Sequence, residues 1–254
     1  MTHNEYTKLP GINVHGLMKI LKAPALFKWE FTNPSEPSAA QNFGSIFHLA
    51  VLEPVRFAKE VVTAPDCDKR SKEYKSFLED HSAATIIGYH DRFKLDGMLD
   101  SVHRNSTISR LLAKAPEREV SRQWEIDEIP CKGRVDAIGD DFIVDIKTTR
   151  DASLDSFSRD AAQYNYDMQA AFYVDGFAKK GRSFVFVCIE TEAPYLTAIY
   201  IVSPRMLESG RTKYRRALEI YKTCVETGHW QGYGEQPQIL DLPEWAYRKT
   251  EANA

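Results

Sequence analysis

The run from Gly133 to Thr149 constrains this chain more than any other, because it reads as one tight β-hairpin whose polar positions carry two aspartates and a lysine. Phe142, Val144 and Ile146 alternate with Ile143, Asp145 and Lys147, so a strand here sets Asp145 and Lys147 side by side on one face. Pairing of Lys132 to Ile138 back through a two-residue turn at Asp140-Asp141 puts Asp136 across from Asp145. Cross-strand partners have Cβ atoms about 4.5–5.5 Å apart, and two like charges there are destabilising unless something neutralises them. A divalent cation does so. Magnesium is held through one or two carboxylates, with the rest of its shell left to water and phosphate oxygens. Lys147 then stands where its amine can orient or deprotonate an attacking water, or its ammonium form can offset charge building on a phosphate.

The strings Arg134-Val135-Asp136 and Asp145-Ile146-Lys147 together resemble the signature of the PD-(D/E)xK nucleases, with Arg-Val-Asp in place of Pro-Asp. Upstream, the helical run Gly44 to Pro54 carries His48 and resembles the His motif of the RecB-like branch of that superfamily. The resemblance implies that His48 joins Asp136 and Asp145 around the metal, with the main-chain carbonyl of Ile146 completing the shell; neutral imidazole is a suitable ligand there. After the hairpin, Gln169 and Tyr173 lie four apart and share a helix face. Their Gln-xxx-Tyr spacing is similar to that of RecB-like nucleases, which implies a place in the active-site wall and in DNA contact. The strand Glu117 to Glu125 leads into the hairpin, and Glu119 aligns best with the family's upstream acidic residue, a ligand for a second metal or a positioner of water. Glu117 and Glu125 are the alternatives for that role.

Two further segments, Ala64 to Tyr74 and Gly97 to Ala113, look like the nuclease domain of exodeoxyribonuclease VIII, the RecE-type exonuclease, and its phage relatives. This resemblance spans His48 to Tyr173 and weakens beyond Lys180. It implies Mg²⁺-dependent hydrolysis of linear double-stranded DNA from the 5′ end, with Mn²⁺ able to substitute. It also implies a 3′ single strand handed to a single-strand annealing protein, and subunits arranged as a ring. The same residues also suit a structure-selective or sequence-specific endonuclease, since fold and metal site do not fix substrate geometry. A DNA-binding protein on a decayed nuclease fold is the remaining reading, against which every assignable ligand position is filled.

The expected fold is α/β: a PD-(D/E)xK, restriction-endonuclease-like core with a mixed central sheet flanked by helices and a helical N-terminal region. With 254 residues, 43% of them hydrophobic, the chain can bury a large core, and no linker or low-complexity run divides it. One domain is expected over 1–254: a mainly helical part at 1–116 carrying the His motif, a sheet-helix core at 117–230, and a tail at 236–254. Helical patterns cover Val14–Trp29, Ala39–Leu52, Lys72–His81, His90–Arg104, Ser106–Ala115, Asp155–Lys179 and, from Pro204, on to Thr227. Strand patterns cover Val120–Ile126, Cys131–Ile138, Phe142–Lys147, Ser183–Glu190 and Leu196–Val202.

Cys67, Cys131, Cys188 and Cys224 are widely spaced without a CxxC pair, which argues against structural zinc or an iron–sulfur cluster and for reduced thiols. The sequence shows no apolar run of about 20 residues and no signal-peptide pattern, so no membrane association is expected and the cytoplasm of a bacterial or phage-infected cell is the expected compartment. The formal net charge of −3 runs against the basic surface that DNA usually draws. A basic channel can coexist with acidic outer faces, and Lys69-Arg-Ser-Lys72 and Arg211-Thr-Lys-Tyr-Arg-Arg216 are its candidate linings.

Overall fold

The computed structural model describes residues 3–177, 181–234, 236–242, 244 and 247. The chain begins with α1 (His3–Lys8), α2 (Val14–Lys22), α3 (Pro24–Thr32), α4 (Ala39–Leu52), α5 (Pro54–Glu60), β1 (Val61–Thr63), α6 (Lys72–Asp80), β2 (Thr85–Ile87), α7 (Tyr89–Arg104) and α8 (Ser106–Ala113). It continues through β3 (Glu117–Ile126), β4 (Ile129–Ile138), β5 (Phe142–Thr149), α9 (Leu154–Gln163), α10 (Tyr166–Gly176), β6 (Ser183–Glu190), β7 (Thr197–Ile201) and α11 (Pro204–Thr227). Local chemistry explains the sharpest boundaries. Ser38 and Gln41 form a reciprocal capping box at the start of α4. Ser203 caps α11 just ahead of Pro204, and Gly228 ends it at φ 70°.

Two expected helices are each two. The Val14–Trp29 run breaks at Ala23, which is extended (φ −170°, ψ 123°) because the ring of Pro24 disfavours helical geometry in the residue before it. The Asp155–Lys179 run breaks at Asn165, in the left-handed region at φ 55°, a conformation Asn tolerates better than most residues; its expected end at Lys179 lies outside the described residues. The sequence reading also passes over α1, α5 and the short parallel pair β1 and β2 (Val61↔Thr85 to Thr63↔Ile87), all too brief to show a period.

The main sheet has the order β3-β4-β5-β6-β7. β5 and β6 run parallel, joined by the α9–α10 crossover, and the other neighbours are antiparallel. On one face Ile143, Phe184, Phe186 and Cys188 pack with Leu17, Phe157, Met168, Phe172 and Tyr214 of α2, α9, α10 and α11. On the other, Val144, Ile146, Val187 and Ile189 pack with Phe47, Leu95, Met98 and Ile108 of α4, α7 and α8. This is the mixed sheet between helical layers that the sequence leads one to expect.

A local irregularity positions the site. Along β4, Ile129, Cys131 and Val135 face the α10 side, whereas Ala137 faces the α4 side. Strict alternation would put Val135 and Ala137 on one face, so the inside-outside pattern switches at Asp136. The partner strand does the same: the ladder runs Arg118↔Ala137 and then Val120↔Val135, leaving Glu119 and Asp136 outside it. Glu119 is in the left-handed region at φ 50°. Both strands therefore turn their faces over at one level, and the two residues there are acidic.

Candidate active site

The expected turn forms, but the ladder stops short of the expected Asp136–Asp145 pair. Gly139 N–H donates to Phe142 O at 2.9 Å around the Asp140-Asp141 turn, and the register is Ala137↔Val144 and Ile138↔Ile143. Regular pairing of β4 with β5 stops after those two pairs. One step on, Asp136 Oδ2 accepts the Ile146 main-chain N–H at 2.6 Å, and the same oxygen lies 3.4 Å from His48 Nδ1. His48 reaches it from α4, on the far side of the sheet from α10.

His48, Glu119 and Asp136 each offer a ligand atom within 4.8 Å of the others. Across the gap between the strands, Lys147 Nζ lies 2.6 Å from Asp145 Oδ2, and Gln169 Nε2 donates to Asp145 Oδ1 at 2.8 Å. The Lys147 ammonium is covered by the Tyr166 ring, 4.8 Å from its centroid. The structure thus brings the expected side chains into one neighbourhood, in two halves, with Tyr173 behind Gln169. His48, Glu119 and Asp136 group on one side, while Asp145 turns to Lys147 and Gln169 on the other. Of the three glutamates on β3, Glu119 is the one that reaches His48 and Asp136; Glu117 and Glu125 stand across from Ile138 and Pro130.

Gln169 and Tyr173 share a face of α10, but both are buried, at 5% and 4% exposure. Tyr173 packs beside Phe177 and Phe184. Each therefore shows little surface to solvent.

Two residues of the cluster escape the sequence reading. Arg134 pairs through Nε with Glu119, and its Nη1 is buried without a hydrogen-bond partner among the described residues. The signal was present, as Arg134 is the cation of the Gly-Arg-Val-Asp string. Tyr166 lies three residues before Gln169, a spacing that shares a helix face.

The electrostatics describe a site with more negative charge than it can hold ionised. Burial pushes the Asp136 carboxyl up, but His48, the Ile146 N–H and Lys147 outweigh it and hold it below the ordinary value. At Asp145 burial wins: with the Asp136 charge it prevails over Lys147 and His48, and the carboxyl is pushed up to about 6. Burial and then Asp136 raise Glu119 despite Arg134. Burial pulls His48 down, yet the Asp136 and Asp145 carboxylates more than compensate and keep its pKa raised. A divalent cation would replace that shared proton charge. An imidazole and two or three carboxylates form a donor set suited to such a cation, so these residues fit the expected metal.

Residues 17–243 match the family described as a PDDEXK-like domain of unknown function (DUF3799). The chain belongs to this PDDEXK-like family. As a PDDEXK-like protein it shares its fold with the crystal structure of a "Putative exonuclease" from Eubacterium rectale, at TM-score 0.67 and 13% identity over 98% of each chain. A phage related exonuclease from Haemophilus somnus 129PT matches 65% of this chain and 91% of its own at 14% identity, with a TM-score of 0.35. No curated protein is significantly similar in sequence. In this PDDEXK-like chain no described helix is long and apolar enough to cross a membrane.

The expected basic linings fare differently. Arg211 is bound to Asp175 at 2.9 Å and to Glu208, and Lys213 to Asp167 at 2.9 Å, so these cations fasten α11 to α10. This corrects the reading of that cluster: two of its four charges are spent on packing. Lys69, Arg70 and Lys72 remain exposed.

Proposed function

We propose that the chain is a divalent-metal-dependent deoxyribonuclease of the RecE type, degrading linear double-stranded DNA from its 5′ ends. The observation that carries the reading is the convergence of His48, Glu119 and Asp136 within 4.8 Å, next to the 2.6 Å Asp145–Lys147 pair, in a chain of PDDEXK-like family. His48, Asp136 and Asp145 would hold Mg²⁺ or Mn²⁺, joined by the Ile146 carbonyl and, for a second ion, Glu119. The bound ion supplies charge neutralisation at the phosphate and an acidified water. The chain's residues do the rest. Gln169 fixes Asp145 through Oδ1, leaving Oδ2 for Lys147 or metal. Lys147, held as an ammonium by Asp145 and capped by Tyr166, orients the attacking water as a donor and offsets the charge developing on the phosphate.

The 5′ polarity, the 3′ single-stranded product for a strand-annealing partner, the subunit ring and a bacterial cytoplasmic setting belong to this reading through the resemblance of Ala64 to Tyr74 and Gly97 to Ala113 to RecE-type exonucleases. The test is a time course on linear duplex DNA labelled separately at each end, in Mg²⁺ or EDTA, with a closed-circular control and a Lys147→Met variant. Early metal-dependent loss of 5′ label with the circle intact is expected. The variant should cleave on the order of a hundredfold or more slowly. Cutting of the circle would replace the exonuclease by an endonuclease, and absence of cleavage with any divalent metal would overturn the enzyme.

A further inference from the structure

α3 is a short helix with little buried surface: among Pro24–Thr32 only Pro24 is fully buried, while Trp29 is 66% and Phe31 77% exposed. Two large aromatic side chains so open to water on nine residues mark a surface that something covers. The helix is nevertheless held firmly. Phe27 stacks on Trp230 with centroids 5.7 Å apart and meets the edge of Tyr221 at 5.6 Å, and Ala25 N–H donates to Gln231 O at 3.1 Å. Phe27 thus anchors the helix; Phe31 stacks on it with centroids 6.3 Å apart and keeps its outer face in water, and Trp29 stands open. Two residues apart, these rings leave the last turn in different directions, so each offers its own stacking face.

The charge around them differs from that of the chain. Residues 14–32 hold Lys19, Lys22 and Lys28 against Glu30, a formal +2 in a protein of net −3. Lys22 and Lys28 are exposed, and Lys19 is paired with Glu30, the residue between the two rings.

We propose that Trp29 and Phe31, with Lys22 and Lys28, form a binding surface for single-stranded DNA, the rings taking base faces and the ammonium groups taking phosphates. This inference rests on the nuclease reading for its choice of partner. Stacking on aromatic rings is indifferent to sequence and needs an exposed base face, which a splayed strand has and an intact duplex lacks. Lysines beside the rings suit a polyanion and disfavour a two-fold contact with a second copy, which would bring the same lysines together.

The test is fluorescence anisotropy of a labelled single-stranded oligodeoxynucleotide with the full chain in EDTA, where no cleavage intervenes. The Trp29→Ala/Phe31→Ala protein should bind about tenfold or more weakly, with Trp29→Tyr close to wild type. Lys22→Glu/Lys28→Glu should weaken binding and flatten its salt dependence. As a check free of mutation, photo-cross-linking of a bromouracil-substituted strand to the wild-type chain should label Pro24–Thr32. Unchanged affinity in the double aromatic variant, cross-links confined to other segments, or a wild-type oligomer that this variant dissociates would overturn the proposal. Because binding is read without metal, the two readings fail separately. Strand binding lost with the rings in a protein that never cleaves would sink the nuclease alone, and normal cleavage with ring-independent binding would sink this surface alone.

Discussion

The Asp136 carboxylate accepts the Ile146 main-chain N–H at 2.6 Å, so a side chain takes a donor that a β-ladder would give to a carbonyl. That bond lies where β4 and β5 part, and the oxygen making it is the one facing His48 Nδ1. One interaction therefore separates the strands and aims the carboxylate.

Substitution of Asp136 should divide these two roles. Asp136→Ala leaves the buried Ile146 N–H without an acceptor and should lower stability by about 1–3 kcal/mol in urea unfolding. Asp136→Asn keeps an acceptor oxygen and should cost less. Both should lose Mn²⁺ binding by titration calorimetry, since both lose the charge; retention of metal affinity in either would remove Asp136 from the shell.

Gln169 distinguishes a wall residue from a DNA contact. Gln169→Leu preserves the packing volume but takes the donor from Asp145 Oδ1. We expect kcat to fall about ten- to hundredfold with KM for DNA little changed. A raised KM at unchanged kcat would mean instead that the side chain touches substrate.

The pH dependence of the metal-free protein follows from the raised groups. Asp145, raised from 3.8 to about 6, keeps a proton in the folded chain that the unfolded chain has released. Its contribution to stability is thus full below about pH 4 and lost as pH climbs through about 6. Glu119 and His48, also raised, act in the same sense, and His48 carries the loss beyond its ordinary 6.5. Asp136, lowered, works oppositely and only on acidification. Thermal melts in EDTA should show Tm declining from about pH 5 through neutrality, and saturating Mn²⁺ should flatten or reverse that slope. An identical slope with and without the ion would count against a metal at these residues.

Glu119 holds a left-handed backbone at φ 50° in mid-strand. Glycine is free of the steric cost there, so Glu119→Gly should be more stable than Glu119→Ala by about 1 kcal/mol. Equal unfolding midpoints would show that the strand relaxes once the carboxylate is gone.

Much of this protein was legible one segment at a time. The alternation in Phe142–Lys147, the Asp140-Asp141 turn and Pro204 at the head of α11 are local signals, and the elements they mark form where they were expected. Legibility failed at Ala23 and Asn165, where a single backbone conformation divides a continuous apolar period into two helices. It also failed for charge: Arg211 and Lys213 read as an exposed basic run until α11 is laid against the carboxylates of α10.

The sequence by itself determined the strand pairing of the hairpin, and with it the closeness of Asp145 to Lys147, because a period of two and a two-residue turn leave little choice over so short a distance. Only the tertiary structure decided that β3 and β4 reverse their faces together, that Glu119 is the glutamate beside Asp136 and His48, and that Arg134 holds it. The same packing buries Gln169 and Tyr173. Those outcomes depend on how three strands and two helix layers meet, and no window of sequence short enough to carry a period contains all the partners.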